Sequence, residues 1–208
     1  TVTNAMRKEV FYRFIQLIRE QPEVESVYTC LYSSLPNSGG WSGAEFRPDT
    51  LSASENKVTH TQHYQVLAYQ GCDIFRTLGI KDVHTGKELV MPEDAVTRNL
   101  YFVSEHFAQK MFGTTKVIGE KIFDYESNPI EIGGVFQDLK TRDYHASYPL
   151  LISLTKDFYM HDYVHKSTFI VFRLKDGVDF DAFNERFKKE VTPHMSQGNF
   201  CFNGFQSF

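Results

Sequence analysis

Residues 104–122 read SEHFAQKMFGTTKVIGEKI. The spacing predicts a short helix beginning after Ser104, whose hydroxyl can cap the open N–H groups of the first turn. Phe107, Ala108, Met111 and Phe112 fall on one helical face. Gly113 supplies a left-handed stop, and Gly119 allows a turn into the strand-like KIF. The segment has no nucleophile beside a base, no metal-ligand cluster and no phosphate loop. Its chemistry is that of scaffold, so its purpose must be read from its surroundings.

Those surroundings are short strands. GKELV, NLYFVS, EKIF and PIEIGGVF all read as strands between residues 86 and 146. Gly133 and Gly134, inside the last of them, point to a bulge or a close backbone approach. They do not lie between a strand and a helix start, as a dinucleotide loop requires. Upstream, residues 4–20 form the clearest helix, with Met6, Val10, Phe14, Leu17 and Ile18 at helical spacing and Pro22 as its stop. It starts with no polar tail, as would a cut inside a longer helix or a tight domain boundary. VESVYTCLY (24–32) and THTQHYQVLAYQG (59–71) read as strands, and CDIFRTLGI (72–80) as a helical turn closed by Gly79. Between the first two lies a loop, residues 33–56, rich in Ser, Gly, Pro and Asn, with Trp41 and Phe46 as its aromatic residues. Loops of that length are often functional. Further strands are expected at SYPLLISL (147–154), TFIVFRL (168–174) and GNFCFNGF (198–205). Asp179 is placed to cap a final helix in which Phe180, Phe183, Phe187 and Val191 share a face, with Thr192-Pro193 as its end.

With 208 residues the chain makes one large domain or two small ones, enough to bury about 70% of its unfolded surface. A net charge of −4 and the lack of a long Lys/Arg run exclude a phosphate-tracking surface, so nucleic acid is not an expected partner. No apolar run reaches the ~20 residues that span a bilayer; FYRFIQLI is interrupted by Arg13 and Gln16. A basic flank followed by an unbroken apolar core, the mark of a signal peptide, is not seen. Cys30, Cys72 and Cys201 form no motif, which argues against a disulfide framework or zinc site, although one pair could bridge in an oxidising compartment.

Candidate chemistry is sparse. His161 and His165 would share a helical face, but Asp162 stands where a zincin carries Glu, and no third ligand is evident. His60 and His63, three apart on a strand, point to opposite faces and cannot easily share a metal. Asp138, Asp143 and His145 could be named an acid–base cluster, but read better as a solvated loop. There is no GxSxG elbow. The expectation is therefore no catalytic residue, no cofactor-binding residue and no metal ligand, and a protein that is not an enzyme.

The order of the segments carries more. Ile74-Phe75-Arg76-Thr77-Leu78-Gly79 is followed by Phe112-Gly113 closing a short helix, by Val117-Ile118-Gly119-Glu120-Lys121, by Gly134-Val135-Phe136-Gln137-Asp138, and by Phe172-Arg173-Leu174-Lys175-Asp176-Gly177-Val178-Asp179. This series resembles the extracytoplasmic (periplasmic) core domain of MacB/FtsX-like ABC transporter permeases. That family carries a "yFxxLG" stretch, a helix ending in Phe-Gly, a "(V/P)IGK" turn, a strand ending "GVxxD" and a late "VRLKPG(V/A)D". The match is strong over residues 60–180 and positional at the ends. Glu120 and Asp176 depart from the pattern, and residues 33–56 match nothing in it.

The resemblance implies an α+β fold of two subdomains: a porter-like half from residues 1–84 and 147–208, and an inserted, β-rich Sabre-like half from 85–146. It implies membrane helices on both sides of the domain in the full protein, a location at the cell (inner) membrane with this domain on its outer face, and work by movement rather than catalysis. The partners implied are a cytoplasmic ATPase, a second permease chain in a homodimer or heterodimer, and an outer partner or substrate. Thr1 and Phe208 would then lie on one face, about 10–25 Å apart. Two other classes stay open at this stage: a periplasmic or secreted binding module with a deep apolar pocket, and a hydrolase with a site near the 33–56 loop.

Overall fold

A computed structural model describes residues 4–31, 43–49, 59–67, 73–139, 149–155 and 168–195. Trp41, Cys72, Asp143, His145, His161, His165, Cys201, both chain termini and the expected strand at 198–205 lie outside the described residues. In chain order the elements are α1 (Asn4–Arg19), β1 (Val24–Leu31), β2 (Gly43–Phe46), β3 (Thr59–Leu67), α2 (Ile74–Leu78), β4 (Leu100–Ser104), α3 (Glu105–Phe112), β5 (Lys121–Phe123), β6 (Pro129–Phe136), β7 (Leu150–Thr155), β8 (Thr168–Leu174) and α4 (Phe180–Met195). The fold is mixed α+β. The strands follow the order β5-β6-β4-β7-β3-β1-β8, with β2 also paired to β3.

By packing, the chain divides into Thr1–Val27 with Phe172–Phe208, and Tyr28–Val171. The boundaries fall within β1 and β8. They differ from the expected insertion at 85–146, because β4, inside that stretch, hydrogen-bonds antiparallel to β7 beyond it. Phe102 and Phe136 likewise share one core with Tyr64 and Ile152.

The terminal unit is a helix pair with an aromatic ladder. Phe14 of α1 meets Phe187 of α4 edge to face at 5.7 Å, and Phe187 stacks on Phe183 at 5.8 Å. Ile15, Ile18 and Val191 are buried beside them. Asp179 caps α4 as expected, its carboxylate accepting the Ala182 N–H at 3.0 Å. The helix does not end at Thr192-Pro193 but runs to Met195. Proline in a last turn forfeits one N–H bond, and here the Thr192 hydroxyl donates to the Lys188 carbonyl at 2.6 Å. Outside, the Arg186 guanidinium donates to the Glu23 carboxylate at 2.6 Å and to the Gln21 side-chain oxygen at 3.3 Å.

The larger unit is organised around a ring of strands. Gln62 of β3 pairs with Gly43 of β2 and with Leu150 of β7, so those two strands lie on opposite edges of β3. β7 pairs with β4, β4 with β6, and β6 with β5. Arg47, directly after β2, then bridges Phe123 of β5: each N–H donates to the other's carbonyl, at 2.9 and 2.8 Å. The path β2-β3-β7-β4-β6-β5 therefore closes on itself. Inside it pack Phe46, Val103, Ile122, Ile130, Ile132, Val135 and Leu151, together with Phe107, Ala108 and Met111 of α3. On the outer face of the same strands a second core gathers Tyr64, Val66, Ile74, Phe75, Leu100, Phe102, Phe136, Ile152 and Leu154.

Local chemistry explains the pieces. The Ser104 hydroxyl accepts the Phe107 N–H at 3.2 Å, and Gly113 ends α3 at φ 73°. Asp138 adds a second acceptor at the helix start, taking the His106 N–H at 2.9 Å; the last residue of the "GVxxD" series is thus a cap. α2 is held between Asp73, which accepts from Phe75 and Arg76, and Gly79 at φ 65°. GKELV is not a strand. It is one arm of a tight hairpin, bridged by Lys81 and Glu88 and attached to β6 through Asp82 and Phe136.

The glycine pair does form a bulge. Tyr101 pairs with Ile132, but Phe102 pairs with Gly134, leaving Gly133 as the extra residue. Strict alternation would turn Val135 away from the face of Ile130 and Ile132. The extra residue keeps all three inside the ring, and the added local twist of a bulge suits a sheet that must curl. A side chain at Gly133 would bring its Cβ within 2.9 Å of the Leu100 Cβ.

Candidate functional site

Two groupings of polar side chains stand out in the ring. The first is internal. The His63 Nε2 lies 2.7 Å from the Ser153 hydroxyl, and both residues are buried. The His63 ring contacts Phe46 edge to face at 6.0 Å and lies tilted over Tyr101 at 5.8 Å. The Tyr101 phenol lies close enough to Ser153 for that hydroxyl to favour its ionised form, so Tyr101, Ser153 and His63 are polar neighbours. Burial pushes the His63 pKa down to about 4, leaving a neutral imidazole at ordinary pH. Burial likewise raises the Tyr101 phenol above its usual range.

The alternation of β3 creates this arrangement. Thr61 and His63 face the interior and Tyr64 and Val66 the outer core, while Ser153 sits on β7 beside Leu151. A serine on a histidine suggests a nucleophile and its base. With His63 at 8% and Ser153 at 5% exposure, however, no substrate atom can reach the pair. Among the described residues no carboxylate orients the imidazole. The sequence had singled out His63 only to separate it from His60; its bond to a residue ninety positions on carries no local signal.

The second grouping is at the surface. The turn between β5 and β6 presents Tyr125 at 80% exposure. Asp124 organises it, accepting the N–H groups of Glu126 and Asn128 at 3.0 and 2.8 Å. Arg47 braces it from across the ring closure, donating to the Asp124 carbonyl and the Ser127 hydroxyl, both at 2.9 Å. The turn is thus a stiff projection with an aromatic tip.

Among the described residues, no group of three or more His, Cys, Asp or Glu side chains could hold a metal. Asp138 belongs to a helix cap. Cys30 is a free, buried thiol, raised to about 12 by burial and so unreactive at neutral pH. No described helix is long and apolar enough to cross a membrane.

Comparison with protein-family models and with curated proteins finds no match to this chain. Solved structures do match. One is a domain of a protein designated a permease in Porphyromonas gingivalis, with 20% identity over 88% of this chain and 75% of the other, at a TM-score of 0.50. A second is the extracellular domain of the noncanonic ABC-type transporter YknZ from Gram-positive bacteria, with 10% identity over 93% and 88%, at 0.53. A third is the periplasmic region of MacB from Actinobacillus actinomycetemcomitans, with 13% identity over 86% and 73%, at 0.51. The chain has the fold of extracellular and periplasmic domains of ABC-type permeases, as its motif order resembled.

Proposed function

We propose that this chain is the extracytoplasmic domain of an ABC transporter permease, and that it passes ATP-driven movement to a substrate or outer partner without performing chemistry itself. The supporting observation is the likeness of fold to three such domains over 86–93% of the chain. In this reading the full protein sits in the cell membrane, works with a cytoplasmic ATPase and pairs with a second permease chain. We assign the porter-like role to residues 1–84 with 147–208, which include the terminal unit. The Sabre-like stretch, residues 85–146, lies in this proposal within the larger ring-forming unit. A hydrolase reading has little to rest on among the described residues, since their serine–histidine pair is buried inside the ring.

The test uses the full-length protein in intact cells. A cysteine at the exposed Tyr125 position, in a background lacking the three native cysteines, should react with a membrane-impermeant maleimide before lysis. Reaction only after lysis overturns the placement. The same protein should co-purify with an ATPase, and loss of that association would remove the transporter reading.

A further inference from the structure

We propose that His63 is an acid-sensing latch: its protonation opens the ring between Arg47 and Phe123, freeing the β5–β6 turn that the ring closure braces.

Every other junction of the ring carries at least three paired residues, whereas the β2–β5 junction is one isolated bridge. Arg47 makes that bridge, and its neighbour Phe46 points inward against His63, Tyr101 and Phe107. Phe46 thus anchors the strand that closes the ring, and its anchorage includes the imidazole.

The surroundings of His63 suit only a neutral ring. From β2 comes Phe46; Glu45 and Arg47 alternate to the other face. From β4 comes the Tyr101 phenol. β7 contributes Ser153 and has no titratable residue. The α3 residues packed in the interior are Phe107, Ala108 and Met111. Burial alone acts on the imidazole, with no described charge to offset it. When neutral, His63 Nε2 can accept the Ser153 hydroxyl proton. When protonated, His63 must donate instead. Ser153 then accepts from the imidazolium and must turn its own proton away from it. A buried cation with no counter-charge is costly, and relief comes from separating the strands at the junction with the fewest paired residues.

The experiment is hydrogen exchange on the whole chain, read as protection relative to the intrinsic rate at each pH. The Arg47 and Phe123 amides should lose about tenfold more protection between pH 7 and pH 4 than amides of the β4–β7 ladder. His63→Gln keeps an uncharged bond to Ser153 and should remove the excess loss. Equal behaviour of both sets of amides, or the same opening in His63→Gln, overturns the proposal. Should that variant fail to fold, the wild-type imidazole is followed by NMR. Titration in step with seam exchange supports the latch; titration with the seam still protected refutes it.

Discussion

The two packing units solve the same problem differently. The ring-forming unit closes its strands into a circuit and fills it with side chains from every strand of that circuit and from α3. The terminal unit has no circuit. Two helices meet through Phe14, Phe183 and Phe187, with Glu23, Gln21 and Arg186 outside. A closed circuit resists deformation because moving one strand strains every junction. A helix pair joined by one aromatic ladder can slide or tilt at smaller cost. For a domain proposed to transmit movement, having one stiff unit and one compliant unit in the same chain is useful.

That contrast can be broken by experiment. Phe107→Ala should have the largest effect. It empties the ring beneath Phe46, costs about 3–5 kcal/mol, and should lower hydrogen-exchange protection through β4, β6 and β7 together. Phe187→Ala removes comparable volume from the terminal unit. Its loss of protection should be confined to α1 and α4; if it spreads equally through the ring amides, the units are not separable and the comparison fails.

Next in size is the effect of acid. The folded pKa of His63, near 4, lies below its unfolded value of about 6.5. Stability is then full above pH 6.5, declines as the unfolded chain takes up the proton, and levels off below about pH 4. A displacement of that size is worth at most roughly 3 kcal/mol. Urea midpoints measured across this window should fall in the wild type and fall less in His63→Gln. Gly133→Ala comes third: its Cβ would force Leu100 aside at a cost of about 1–3 kcal/mol, visible as a lowered Tm. Arg186→Ala should do least. The ion pair with Glu23 is exposed, with side chains 49% and 26% accessible, so only a slight, salt-sensitive change in Tm is expected.

What the sequence disclosed was what local chemistry controls. Ser104, Asp179, Gly79 and Gly113 announce helix ends because a cap acts within one turn. β4, β6 and β8 were legible from their apolar runs, and the bulge from its paired glycines. GKELV misled because its residues alternate like a strand while Asp82 and Gly86 fold it into a hairpin. Pro193 misled because one lost N–H near a helix end costs little. The ring itself was hidden. Nothing around Arg47 names Phe123 as its partner, and nothing around His63 names Ser153; both contacts depend on strand order, which no short window contains.

The bulge at Gly133 has a genetic corollary. Outside the Gly133-Gly134 pair, inserting or deleting one residue in β6 exchanges the inward and outward faces of everything beyond it. Loss of either glycine codon, which gives the same chain, would keep Ile132, the remaining glycine, Val135 and Phe136 on their present sides, since the ladder merely becomes regular. What it would remove is the local twist. At this glycine pair, unlike the rest of β6, the facing of the strand and its curvature can be changed separately. A chain shortened by that single residue would ask whether the circuit closes because its side chains point inward or because its backbone is already bent.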